Sequence, residues 1–415
     1  MTSSADDSAV VYTARWIIPI DGGPILHGRL KVRDGRIATL EAHRPNGAAD
    51  GDVVVDLGDV IVCPGFVNAH THLEFGDLAA PLGRPGMPFP DWVREVLAYR
   101  RSAVFDPVAA TMAGLAESAR FGVTTLGDIA SSAPAALLDA PSADVDATSF
   151  IELIGLGESR QEAQHARLDE FMARRDGEFV RRGISPHAPY SVRPSLVATA
   201  AERSADRRVP LAMHLAESRD ELQLLRDGTG PFAELLRDIG AWDPSAIPAG
   251  STALDYLEIL RRAHRALVIH GNYLDAREIE FLAAHSERMT VVYCPRTHAY
   301  FAHDEHPLRQ LLAAGASVAL GTDGRCTNPD LDLPAEMRVV ARAFPQLAPE
   351  RIVRLGTLDG ARALGREHEV GSLAVGKQAD FVAIAAPTDG ADPFAALLAD
   401  ESHVVGVWKR GRRVV

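Results

Sequence analysis

Two histidines one residue apart, His70 and His72, close the apolar run VCPGFVNAHTH. Residues i and i+2 of a strand face the same side, so both imidazoles can meet one metal ion. Three more groups stand directly after apolar runs: His214 after VPLAM, His270 after ALVI and Asp323 after VALGT. Glu217 follows His214 by three residues. Taken singly, each reads as a polar residue at the end of a buried strand, and Glu217 as a first-turn carboxylate favoured by a helix dipole. Taken together, four such sites at strand ends are hard to obtain by accident, and imidazoles and carboxylates are groups able to hold a divalent cation.

Positioning these groups falls to a series of strand–helix units. The strand candidates are GVTTLGDI, TSFIELIG, GEFVRRGISPHAP, VPLAMHLAES, ALVIHGNYL, MTVVYCP and ASVALGTDG. Helical spacing runs through PVAATMAGLAESARFG, PSLVATAAERSADRR and LDAREIEFLAAHS. The alternation predicts an α/β protein with a parallel sheet and helices outside it, and its length suits a (β/α)8 TIM barrel. The 251 residues from His72 to Asp323, spread over seven units, give about 36 per unit. On that count Asp128 falls near strand 2, Glu152 near strand 3, His187 near strand 4, His214 at strand 5, His270 at strand 6 and Cys294 to His298 near strand 7. Barrel active sites are built at these C-terminal strand ends. The two ends of the chain read differently, as short Val- and Ile-rich runs punctuated by Gly, with Arg33-Asp34-Gly35-Arg36 as a hairpin turn. They predict a small β-sandwich domain built from both termini, residues 1–62 and 371–415, around a barrel of residues 63–370.

Composition narrows the function classes. The 415 residues carry 43 Lys and Arg against 56 Asp and Glu, a net charge of −13. An acidic chain lacks the basic footprint of a nucleic-acid binder and is repelled by anionic membrane surfaces. No window of 18 apolar residues occurs, and the polar, acidic N-terminus MTSSADDSAV has no leader pattern. Three scattered cysteines, Cys63, Cys294 and Cys326, fit a reducing compartment. The expectation is a cytoplasmic enzyme with a small-molecule substrate and neither nucleic acid nor membrane as partner.

The HTH motif, the later HLAES, the strand-end His270 and the GTDG turn resemble the metal-dependent amidohydrolase superfamily. GSLAVGKQADFVAI looks like that family's returning β-strands. His214-x-x-Glu217 and SPHAPYS resemble its mononuclear aminohydrolase branch of nucleoside and nucleobase deaminases and chlorohydrolase-like enzymes. HTHLEF, the Phe-Pro-x-Trp segment and CPRTHAYF are similar to bacterial members that deaminate aminodeoxyfutalosine.

The resemblance implies one divalent ion, zinc or alternatively iron(II) or manganese, on His70, His72, His214 and Asp323. Binuclear relatives bridge two metals with a carboxylated lysine on strand 4; no lysine lies between Lys31 and Lys377 here, so that bridge is excluded. It further implies metal-hydroxide attack on an aminated heterocycle with release of ammonia, with His270 and Asp323 orienting the nucleophile and Glu217 shuttling protons. The substrate implied is an adenosine-like nucleoside such as aminodeoxyfutalosine, S-adenosylhomocysteine or methylthioadenosine. Guanine, cytosine and triazines, including chlorohydrolysis, are the alternative. Substrate contacts are expected from Glu74 on a ribose hydroxyl or amine, from Phe89 and Trp92 as an aromatic lid, and from His187. Arg296 and His298 are expected to meet a polar tail, with Arg296 pairing a carboxylate. Arg160 and Arg219 are further cations that nothing in the sequence positions, and His303 and His306 read as surface residues. A homo-oligomer is the family's usual state.

Overall fold

The computed structural model describes residues 9–42, 52–140, 142–387 and 392–415. Nearly all of the N-terminal stretch read above for a leader therefore lies outside the described residues. Eight parallel strands form the central barrel: β1 (Phe66–Thr71), β2 (Val123–Ala130), β3 (Asp146–Leu153), β4 (Val180–Pro186), β5 (Pro210–Leu215), β6 (Arg265–His270), β7 (Met289–Tyr293) and β8 (Ser317–Leu320). Each pairs with the next in chain order. Every residue of β2 and β3 is buried, because helices cover one face and the barrel interior the other. Such strands read as continuous apolar runs rather than alternating ones.

The seam between β8 and β1 is closed largely by side chains. Asn68 accepts from the Thr322 amide at 3.1 Å and donates to its hydroxyl at 2.8 Å. The Asp323 amide donates to the His70 carbonyl at 3.1 Å. A Cβ at Gly321 would lie 2.7 Å from that carbonyl, so this approach requires glycine. The closure brings the two ends of a 250-residue path together at His70 and Asp323.

The terminal strands form one mixed sheet: Val10–Ile17, Ile25–Arg33, Arg36–Ala42, Val53–Asp56, Ile61–Pro64, Phe381–Ala385, His403–Lys409 and Arg412–Arg413. Asp34 and Gly35 take φ of 51° and 71°, the left-handed pair that a two-residue hairpin turn needs. Ile61–Pro64 runs antiparallel to Phe381–Ala385, and the chain enters the barrel at Gly65. Tyr12, Phe381 and Trp408 pack ring to ring within the sheet's own apolar cluster. A buried ion network joins sheet to barrel: Lys409 bonds Asp380 and sits 2.9 Å from Asp146 at the start of β3, which Arg366 meets at 2.6 Å. Among the described residues, no helix is long and apolar enough to cross a membrane.

Candidate active site

Four strand ends converge on one buried cluster. The groups His70–His72–Asp323 and His70–His214–His270 each have ligand atoms within 4.8 Å of one another. Asp323 Oδ1 lies 3.5 Å from His70 Nε2 and 3.7 Å from His72 Nε2. His214 Nδ1 faces the His187 carbonyl at 2.9 Å, an acceptor, so it carries the ring proton and leaves Nε2 as a lone pair. That lone pair meets His72 Nε2 at 3.2 Å. Both ring nitrogens of His70, and Nδ1 of His72, are buried without a hydrogen-bond partner among the described residues. Burial, and then the neighbouring His214, holds His70 well below the usual imidazole range; burial followed by His70 does the same for His72. Neutral imidazoles with unspent lone pairs around a carboxylate are the donor set of a divalent cation, and the residues fit one.

The backbone here is bent into an uncommon conformation to aim these groups. Ala216, His270 and Asp323, at or just beyond the ends of β5, β6 and β8, adopt φ of 53°, 68° and 57°. Non-glycine residues enter this left-handed region at a cost, and such positions concentrate at functional sites. The surroundings hold them there. Glu221 accepts from the amides of Ala216 at 2.8 Å and Glu217 at 3.0 Å. Asn272 donates to the Glu217 carbonyl at 3.0 Å, and His306 to the His270 carbonyl at 2.9 Å. Glu217 Oε1 then lies 3.3 Å from His270 Nε2. Burial, then Asp323 and Glu221, raises the Glu217 carboxyl well above the ordinary range, which suits a group that must carry a proton at neutral pH.

The cluster floors a cavity of about 980 Å3, whose wall includes His72, His187, His214, Glu217, His270 and Asp323. Phe89 and Trp92, from the helix Phe89–Arg100 that follows β1, roof it. They stack with ring centroids 5.6 Å apart and meet Phe301 edge-on.

Three expected substrate contacts are not brought to this cavity. Arg296 turns away to bond Glu336 and Asp330, each at 2.6 Å, and the carbonyls of Asp330 and Asp332. Its guanidinium is spent on fastening the helix Pro295–Tyr300 to the helix Leu333–Ala343. His298 packs behind β7 against Tyr293, His303 and His306. Glu74 is buried beneath the lid helix, where it takes Arg100 and the Ser132 amide. His306, read as a surface residue, is 1% exposed and stacks on Tyr293. Arg219 is exposed and pairs with Asp304. Arg160 does line the cavity, together with Arg100 and Arg101.

Glu221 escaped the reading of the sequence although a signal was present. Ser218-x-x-Glu221 is a helix-start pattern, and Ser218 does cap the helix Arg219–Asp227. Arg100 and Arg101 carried no signal, since only the docking of the lid helix turns its last residues to the cavity.

Comparison with known proteins agrees with this architecture. A sequence model of the amidohydrolase family matches residues 61–414. The 5-methylthioadenosine/S-adenosylhomocysteine deaminase of Moorella thermoacetica is 31% identical over 389 residues, 89% of this chain and 83% of its own. That of Pyrococcus furiosus is 27% identical over 363 residues, 84% of this chain and 80% of its own. The fold matches the crystal structure of Helicobacter pylori aminofutalosine deaminase with a TM-score of 0.83 at 21% identity, covering 98% of this chain and 100% of that one. It matches a zinc-bound adenosine deaminase from Xanthomonas campestris with a TM-score of 0.80 at 23% identity, covering 98% and 92%.

Proposed function

The chain belongs to the amidohydrolase family, and from that premise we propose that it is a metal-dependent hydrolytic deaminase of an adenosine-like nucleoside. One observation carries the reading: three buried imidazoles and Asp323 present unspent donor atoms to one point, beside the buried carboxyl of Glu217 on the cavity floor. His70, His72, His214 and Asp323 would hold one divalent ion, and three nitrogens with one carboxylate oxygen suit zinc. Bound there, the ion supplies a Lewis acid that lowers the pKa of water towards 7.

The protein's own groups do the rest. Asp323 and His270 orient the attacking water, and Asp323 accepts its proton. Glu217 protonates the ring nitrogen beside the carbon that carries the amine, so that carbon becomes tetrahedral without building up ring charge. The new hydroxyl gives its proton to Glu217, which passes it to the departing nitrogen; the C–N bond breaks, ammonia leaves, and the proton held on Asp323 returns Glu217 to its starting state. The aromatic roof of Phe89 and Trp92 excludes bulk water and offers a face on which a heterocycle stacks. Arg160 and Arg101, which have no side-chain partner among the described residues, place positive charge at the cavity wall where Arg296 was expected to, which favours a substrate with an anionic tail. All three cysteines are free and buried, which accords with work in the cytoplasm.

The experiment is ammonia release from metal-loaded protein across adenosine, 5′-methylthioadenosine, S-adenosylhomocysteine, aminodeoxyfutalosine, guanine, cytosine and triazines. A hit on an adenosine-type nucleoside that falls about 10²–10⁴-fold in Glu217→Gln, with the metal retained, is the expected result. Silence across the nucleosides refutes the reading.

A further inference from the structure

Ligand atoms converge at a second place on the cavity wall. Glu152, His187 and His214, at the C-terminal ends of β3, β4 and β5, offer ligand atoms that all lie within 4.8 Å of one another. Glu152 Oε1 stands 3.8 Å from His187 Nε2. That spacing matches the inner set, where Asp323 Oδ1 lies 3.7 Å from His72 Nε2. Two donors each about 2.0–2.1 Å from one zinc ion are at most about 4.2 Å apart, so either pair can share an ion.

Both side chains are already held as metal ligands are. Glu152 is 1% exposed, and its Oε1 has no hydrogen-bond partner among the described residues. A buried carboxylate oxygen in that state is costly unless a cation or a donor meets it. The other oxygen of Glu152 accepts from Ser131, whose own oxygen accepts from Arg100 at 2.8 Å. Ser191 spends its hydroxyl proton on the Ala188 carbonyl at 3.1 Å, so its oxygen accepts from His187 Nδ1 at 2.6 Å. The ring's lone pair is then on Nε2, the nitrogen that faces Glu152. A histidine that binds a metal through one nitrogen donates its other N–H in this way, and a ligating carboxylate is likewise hydrogen-bonded.

This arrangement differs from the lysine-bridged pair of ions, since it needs no bridging group. His214 joins it only in exchange: Nδ1 bonds the His187 carbonyl, so Nε2 alone is free, and one lone pair serves one ion. With the inner ion in place, water completes the shell of the outer one.

We propose that Glu152 and His187 form a second, outer divalent-cation site, which takes an ion when metal is in excess and then blocks the cavity to substrate. The block follows from position, because both side chains line the same cavity as Glu217. An ion and its waters there occupy the wall against which a heterocycle must lie.

The test adds zinc chloride to protein that holds its first equivalent of zinc, in wild type, Glu152→Gln, His187→Phe and Ser191→Ala. Equilibrium dialysis counts the bound ions. Wild type should take a second equivalent. Glu152→Gln and His187→Phe, each short of a ligand, should lose the second and keep the first, which also shows that they fold. Ser191→Ala keeps both ligands but strips His187 of its support, and should weaken the second equivalent about 10–100-fold. A wild type that stops at one equivalent overturns the proposal, as does a second equivalent that persists in Glu152→Gln or His187→Phe. The block is read as KM for adenosine, which should rise with free zinc in wild type and stay flat in Glu152→Gln. A wild-type KM that stays flat while the second ion is bound overturns the block. The ion count does not depend on the deaminase reading, so either can fail and leave the other standing.

Discussion

Glu221 offers the sharpest test of how this site is built. Its carboxylate touches no reacting group, yet both oxygens are committed to the amides of Ala216 and Glu217 at 2.8 and 3.0 Å. These bonds hold the left-handed turn at Ala216 that aims Glu217 into the cavity. In Glu221→Gln one oxygen becomes an NH2 group, which must face a backbone N–H. One bond is lost and one amide is left buried without an acceptor. A hydrogen bond to a charged group is worth about 1.5–3 kcal/mol, and an orphaned buried amide costs about 1–3 kcal/mol. If the turn holds, the variant loses about 3 kcal/mol of stability and keeps its activity. If the turn relaxes, part of the stability returns, but Glu217 shifts, and a displacement of about 1 Å costs about 100-fold in rate. The two losses trade against each other, so the assay must read both. Urea unfolding gives the stability, ammonia release gives kcat, and metal content shows that the ligands remain in place. A variant within twofold of wild type in kcat and within about 0.5 kcal/mol in stability would refute the reasoning.

Arg296→Met should leave KM for an anionic-tailed nucleoside within about twofold of wild type and lower stability by about 3 kcal/mol, because it strands the fully buried Glu336; a raised KM at unchanged stability would return Arg296 to the cavity. By contrast, replacing both Arg160 and Arg101 with Ala should raise KM for a carboxylated nucleoside about tenfold and leave uncharged adenosine untouched, checked by comparing the two substrates in one assay. Acid should destabilise the protein through His306, which burial lowers from 6.5 to about 3. The folded state keeps this ring neutral, so its contribution is complete above pH 6.5 and is lost as pH falls towards 3, about 1.4 kcal/mol per pH unit. Urea unfolding at pH 7 and pH 5 should therefore differ by about 2 kcal/mol less in His306→Asn than in wild type; equal differences would contradict the burial argument.

Much of this protein is written along the chain, because its strands are buried on both faces and its chemistry sits where they end. Runs such as ALVIH and VPLAMH mark β6 and β5 by apolar continuity alone, and the first polar residue after each run marks the strand end. In a parallel barrel all such ends lie on one rim, so local order along the chain translates into a shared location. His70, His72, His214, Glu217, His270 and Asp323 could be assembled from spacing for that reason. The terminal sheet was legible for a related reason, since hairpin turns such as Asp34–Gly35 declare themselves by residue type.

What lies away from the strand ends followed no such rule. Arg296 and His298 stand immediately beyond β7, yet the first helical turn after that strand rotates them out of the cavity, and a buried Glu336 from a distant helix captures the guanidinium. Glu74 follows His72 by two residues but points under the lid, where Arg100 neutralises it. A charged side chain in a loop takes whichever partner the packing brings within reach, and the energy of burying it unpaired makes that choice decisive. Arg100 and Arg101 reach the cavity only because their helix crosses the barrel mouth. The sequence by itself determined the barrel and the meeting of His70, His72, His214, Glu217, His270 and Asp323 on its rim, because these depend on strand ends. The wall that meets the rest of the substrate was decided by tertiary structure, because loops and lid place its groups through contacts between residues far apart in the chain.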